Sequence, residues 1–160
     1  MKEIVTFFLS GKEYGVEVDK MQGIENYVDM TQAAEMPECL QGIVMIREEV
    51  IPVLNIKKQL VLPPVPVTED TKYLIFLTSH GKLACVADGI SKILKADEDN
   101  VQQFPPIMQT KETRYADFVV KDETHLVIVI NPENLLRRED WENVDKATDN
   151  FMSEGKEEND

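Results

Sequence analysis

The chain is short of cysteine, of positive charge and of long apolar runs, and each shortage removes a class of function. Its 160 residues hold two cysteines, Cys39 and Cys85, far apart among apolar neighbours. Neither the close pairing of a redox motif nor the Cys/His clustering of a zinc site is present in the sequence, so no metal or cofactor is expected. A chain of this length buries roughly two thirds of its unfolded surface and needs no staple to hold a core. Lys and Arg number 17 against 30 Asp and Glu, a net charge of −13. That balance repels phosphate backbones, and no Lys/Arg stripe with interleaved aromatics offsets it, so nucleic acid is not an expected partner. The longest stretch without Asp, Glu, Lys or Arg runs from Asn100 to Thr110 and contains two prolines. It falls well short of the ~18 apolar residues that a spanning helix needs, so direct membrane insertion is not expected. The opening MKEIVTFFLSGKEYGVEV has no basic start, and Glu3 interrupts its apolar run. Secretion is therefore not expected, and a reduced cytosol is the expected compartment.

What is present is a series of short β-rich segments bounded by turn residues. Glu3 to Leu9 and Glu13 to Val18 flank Ser10-Gly11-Lys12, where glycine can supply a positive φ. Gln41 to Arg47 pairs with Val50 to Ile56 across Glu48-Glu49, and Tyr73 to Ser79 with Leu83 to Ala87 across His80-Gly81-Lys82. Tyr115 to Lys121 and His125 to Ile130 form a fourth hairpin across Asp122-Glu123-Thr124. Strands this short usually close into small barrels. Helices are minor. Asn131-Pro132-Glu133 is a start signal, with a capping Asn, proline at the first helical position and an acid at the dipole's positive end. Lys57 to Leu60 forms a matching short turn. The proline-rich stretch from Leu62 to Thr71 reads as an extended crossover between two lobes.

An internal repeat underlies this order. Gly15 to Ile24 lies over Ala84 to Ile93, matching Asp19 to Asp88, Met21 to Ile90 and Ile24 to Ile93. Val53-Leu54-Asn55 lies over Val129-Ile130-Asn131, each ahead of a helical turn. Two similar lobes are the physical reading.

Reactive chemistry is sparse. His80 falls in a hairpin turn and His125 at a strand start, and neither has a sequence neighbour at ligand or catalytic spacing, so both read as solvent-facing turn residues. Cys39 and Cys85 lack an activating cation or histidine nearby and read as inert thiols. Asp19 and Asp88 hold equivalent places in the repeat and read as strand-terminating turn residues. No catalytic residue is assigned.

Several segments carry a family resemblance. GIVMIREEVIPVLN (42–55) resembles the signature hairpin of the CheW family of bacterial chemotaxis coupling proteins, G-V-I-N-L-R-G-x-I-I-P-V-I-D-L. FFLSGKEYGV (7–16) resembles the family's opening hairpin, Val86 to Ile90 its V-D-x-V turn, and Val127 to Leu136 its closing segment. The match runs from about residue 3 to 137 in the right order. Departures are Met45 and Glu48 beside the signature arginine, Gly23 where a glutamate is usual, and Phe118 where the second lobe has a glycine.

The resemblance implies a mainly β fold of two SH3-like five-stranded barrels with short helical turns. It places a CheW-like domain over residues 1–137, with lobe one at about 1–62, lobe two at about 63–137, and strand exchange between them allowed. It also implies a non-catalytic adaptor that links the cytoplasmic tip of chemoreceptors to the regulatory domain of the histidine kinase CheA, recruited to arrays at the inner face of the membrane. Arg47, Met21 and Gly23 match receptor-side positions, and Gly42 and Val50 match positions in the kinase-facing hairpin. A different class stays open at this level: a small ligand-binding barrel or cryptic hydrolase with Asp19, Asp88 or Cys85 in a pocket.

From Arg138 to Asp160 the composition changes, with nine acidic and three basic residues. Trp141, Val144, Thr148 and Phe151 recur at helical spacing, which predicts an amphipathic helix to about Met152 and a disordered acidic end. The tryptophan is expected to pack back on a barrel.

Overall fold

The computed structural model describes residues 2–32, 35–103 and 114–158. The strands are β1 (Lys2–Leu9), β2 (Lys12–Glu17), β3 (Met21–Asn26), β4 (Leu40–Ile46), β5 (Glu49–Leu54), β6 (Lys72–Thr78), β7 (Gly81–Ala87), β8 (Gly89–Ala96), β9 (Val101–Gln103), β10 (Ala116–Asp122) and β11 (His125–Ile130). The helices are α1 (Ile56–Gln59) and α2 (Arg138–Glu158). The four hairpins expected from alternation are β1–β2, β4–β5, β6–β7 and β10–β11. β3, β8 and β9 are additional strands, polar on alternate or successive residues, and among the described residues each pairs with its sheet on one side only.

Two sheets result, ordered β8-β1-β2-β11-β10-β9 and β3-β6-β7-β5-β4. Sheet membership does not follow chain order. The first hairpin, β1–β2, joins the strands of the second half, and β6–β7 joins β3, β4 and β5 of the first half. The exchange is reciprocal: β2 runs parallel to β11 as β7 runs parallel to β5, and β1 pairs with β8 as β6 pairs with β3. The chain changes sheet between β2 and β3 and again between β7 and β8, so a division near residue 62 falls inside one sheet. The proline-rich stretch likewise joins α1 to β6 within that sheet, where a crossover between lobes is expected from sequence. Long-range pairing decides this, and local composition does not encode it.

Among the described residues, strand alternation splits the buried apolar side chains into three clusters. Leu74, Phe76, Leu83 and Cys85 face Val5, Phe7, Tyr14 and Val16 in one core shared by both sheets. Tyr73, Ile75, Val44 and Val53 fill the second sheet's own lobe, and Ile4, Phe118, Val120 and Val129 fill the first sheet's. Strands β1, β5, β6, β7 and β11 thus bury both faces. Burial of this kind stabilises by about 25 cal/mol per Å² of apolar surface. Helix α2 lays Trp141, Val144 and Ala147 onto the shared core, so the tryptophan packs on the barrels as expected. The helix continues to Glu158, past the expected stop near Met152, through residues that include the strong helix formers Lys156, Glu157 and Glu158. Asn159 and Asp160, at the end expected to be disordered, lie outside the described residues.

Candidate interaction surface

Arg47 sits at the tip of the β4–β5 hairpin. Ile46 pairs with Glu49, which leaves Arg47 and Glu48 as the loop, at φ 51° and 69°. Positive φ at both central residues matches the right-handed twist of the strands, a conformation that usually selects Asn or Gly. Holding two ordinary side chains there costs on the order of 1 kcal/mol each. The side chain is 79% exposed, and its Nε lies 3.2 Å from Glu25 Oε1 on β3. An ion pair this exposed adds little stability. Its value is positional: β3 and β4 are opposite edges of one sheet, and the contact crosses the seam where the sheet curls on itself. Thr31, beyond β3, closes that seam by exchanging backbone hydrogen bonds with Ile43 of 2.8 and 2.7 Å.

The ion pair brings Arg47 to the strand that carries Met21 and Gly23. Met21 is half-buried against the shared core. Gly23 lies opposite Ile75, just past a register shift, and a Cβ there would meet nothing within 4 Å. The strand therefore accepts a side chain at this position. Ile24 and Gln22 point to solvent between them.

Gly42 and Val50 belong to the β4–β5 hairpin, in different settings. Gly42 is buried, and a Cβ on it would lie 2.7 Å from Met30 Sδ and 3.1 Å from the Thr31 carbonyl. It lets the seam close. Val50 is half-buried opposite Met45, which is 62% exposed, so the outward face of the hairpin is apolar. Met45, Ile24 and Glu25 were not among the site residues expected from the sequence. The period-two alternation of Met45 with the inward Val44 was the available signal for the first.

The titratable groups mostly occupy one another. Asp88 accepts from the Ser10 backbone N–H at 2.7 Å and from Lys57 Nζ at 2.7 Å, tying the β7–β8 junction to the first hairpin's turn and to α1. Glu17 is buried between Lys2 at 2.9 Å and Lys20 at 2.7 Å. Burial pushes its carboxyl up, but hydrogen bonds from Lys20 and Lys2 outweigh this and hold it below its ordinary value. Burial, with the Asp140 carboxylate, pushes the Cys39 thiol up to about 11, and Cys85 is fully buried with its thiol pushed up further. Asp19 is exposed in a 3-10 turn. Asp19, Asp88 and Cys85 do not converge on one pocket. A groove of about 410 Å³ beneath the proline-rich segment is lined by Tyr27, Lys57, Val65 and Asp88 among others, and the charges in it are paired. His80 is exposed yet stacks on Trp141, with centroids 5.3 Å apart at 13°. His125, also expected to stand free in solvent, lies 2.9 Å from Glu13. Among the described residues no helix is long and apolar enough to cross a membrane.

Fold and surface define a two-lobed, strand-exchanged β protein that offers a hairpin tip and a sheet edge to its surroundings. The family model described as a CheW-like domain matches residues 3–140, and the chain belongs to that family. It is similar to the "Chemotaxis protein CheW" of Klebsiella aerogenes, 24% identical over 146 residues (91% of this chain, 88% of the relative). It is also similar to the protein of that name from Bacillus subtilis, 23% identical over 138 residues (86% and 88%), and from Treponema pallidum, 26% over 137 (83% and 81%). The crystal structure of scaffolding protein TtCheW from Thermoanaerobacter tengcongensis shares the fold, with TM-score 0.76 at 24% identity, covering 85% of this chain and 88% of that one.

Proposed function

We propose that the chain is a non-catalytic chemotaxis adaptor that couples the cytoplasmic tips of methyl-accepting receptors to the regulatory domain of the histidine kinase CheA. The reading rests on one observation above others, the CheW-like match that runs through nearly the whole folded part, residues 3–140. Its place is the cytoplasm, at receptor arrays on the inner face of the membrane. Arg47, Met21 and Gly23 serve the receptor side. A receptor tip is a helical hairpin, and a free strand edge carrying Met21 and the exposed Ile24 beside an arginine suits an amphipathic helix, the cation fixing register against a carboxylate. Val50 serves the kinase side with its neighbour Met45, and Gly42 sets the shape of that hairpin. Contacts this small bind modestly, and array strength comes from linking many of them.

Co-sedimentation with receptor-bearing membranes and CheA tests the reading. The protein is expected to sediment with both, and Arg47→Glu to weaken this while leaving the melting curve unchanged. Failure of the wild-type protein to sediment with either partner overturns it.

A further inference from the structure

The geometry points to a site for a zinc-class divalent cation at one end of the first sheet, formed by Glu13, Asp122 and His125. Three elements supply the ligands: Glu13 from β2, Asp122 from the end of β10 and His125 from the start of β11. One ligand atom from each lies within 4.8 Å of the other two. His125 Nε2 is 2.9 Å from Glu13 Oε2 and 3.6 Å from Asp122 Oδ2. A tetrahedral zinc site has ligand atoms about 3.3 Å apart at bond lengths near 2.0 to 2.2 Å, so small side-chain rotations complete the set. One imidazole with two carboxylates suits zinc, cobalt or nickel better than calcium or magnesium, which prefer oxygen alone.

Two features separate this cluster from an ordinary surface ion pair. The Glu13 side chain is only 11% exposed, and its Oε1 is shut off from solvent without a hydrogen bond of good geometry. The second feature is Lys92, whose ammonium pairs with Asp122. Its side chain is 46% exposed, so a divalent ion that displaced it from Asp122 would leave the ammonium in solvent. Its location gives it a purpose. β2 and β11 are held by a short parallel register, Tyr14 with Ile128 and Gly15 with Val129. An ion bridging Glu13 to the β10–β11 turn would staple the exchanged first hairpin to its host lobe.

The test is a titration of the untagged full-length protein with zinc by calorimetry, paired with NMR of the histidine rings during addition of paramagnetic cobalt. One ion per chain is expected, with a raised Tm. Losing a ligand in His125→Ala should weaken binding at least about tenfold, since even outer-shell changes cost 10- to 100-fold. The chain has two histidines, and His80, stacked on Trp141, is the internal control. Cobalt should broaden His125 and spare His80, a readout that needs no variant to fold. No saturable binding, equal broadening of both rings, or unchanged affinity in folded His125→Ala and Glu13→Gln overturns the assignment.

Discussion

Asn55 and Asn131 do the same work in the two halves of the chain. Each ends a strand, donates its backbone N–H at 2.8 Å (to the carbonyls of Cys39 and Tyr115), and caps the following turn with its side chain, which accepts from the N–H of Lys58 and of Glu133. Equivalent clasps sit in lobes that have traded hairpins, so neither half owns a complete barrel. Fragments 1–64 and 65–160 should each lack a cooperative melt alone and regain one when mixed. Circular dichroism of the separate and combined pieces checks this, and two independently folded fragments would contradict the exchange.

Gly42 predicts a measurable packing penalty. Gly42→Ala forces a methyl against Met30, a flexible neighbour, and against the fixed Thr31 carbonyl. Overpacking of this kind costs about 1 to 2 kcal/mol. Urea denaturation should register the loss, and Met30→Ala should recover part of it. An unchanged midpoint in the single variant would contradict the crowding.

Glu17 sets an acid limit. Its folded pKa is depressed by Lys20 and Lys2 despite burial. The stabilisation is therefore fully present above the unfolded value of about 4.3 and is lost as pH falls through the folded one. Hydrogen bonds to a charged group contribute about 1.5 to 3 kcal/mol. Glu17→Gln should lower stability at pH 7 by an amount of that order, and flatten the decline between neutral and acid pH. A variant that keeps the wild-type acid slope would refute the pairing.

Trp141 anchors α2 to the shared core. It is buried in the shared core and stacked on His80. Trp141→Ala should cost about 3 to 5 kcal/mol by chemical denaturation. His80→Ala, at an exposed site, should cost no more than about 1 kcal/mol. Similar losses in the two variants would mean that the stack, and not the burial, holds the helix.

Alternation made the hairpins legible in the sequence, because each carries a period-two apolar pattern around a turn signal such as Ser10-Gly11. The Asn131-Pro132 start was legible for the same local reason. β3 and β8 were not, since edge strands such as MQGIEN have no hairpin partner and turn signal beside them to mark their ends. The exchange of strands depends on pairings such as Tyr14 with Ile128 and Val53 with Ala84, far apart along the chain. At the candidate surface, the second hairpin was legible but its turn was expected one residue late, at Glu48-Glu49, and Glu25, the partner of Arg47, was not legible. His125 looked solitary because Glu13 comes from the other end of the chain; Asp122, three residues before it, was the local signal that was missed.

Amide-shift mapping of the labelled protein on titration with the CheA regulatory domain, and separately with a receptor-tip hairpin, tests the adaptor reading most directly. Saturable shifts are predicted around Met45 and Val50 for the kinase, and around Met21, Gly23 and Arg47 for the receptor. Absence of saturable shifts with both partners, in a protein whose spectrum shows it folded, would contradict the account.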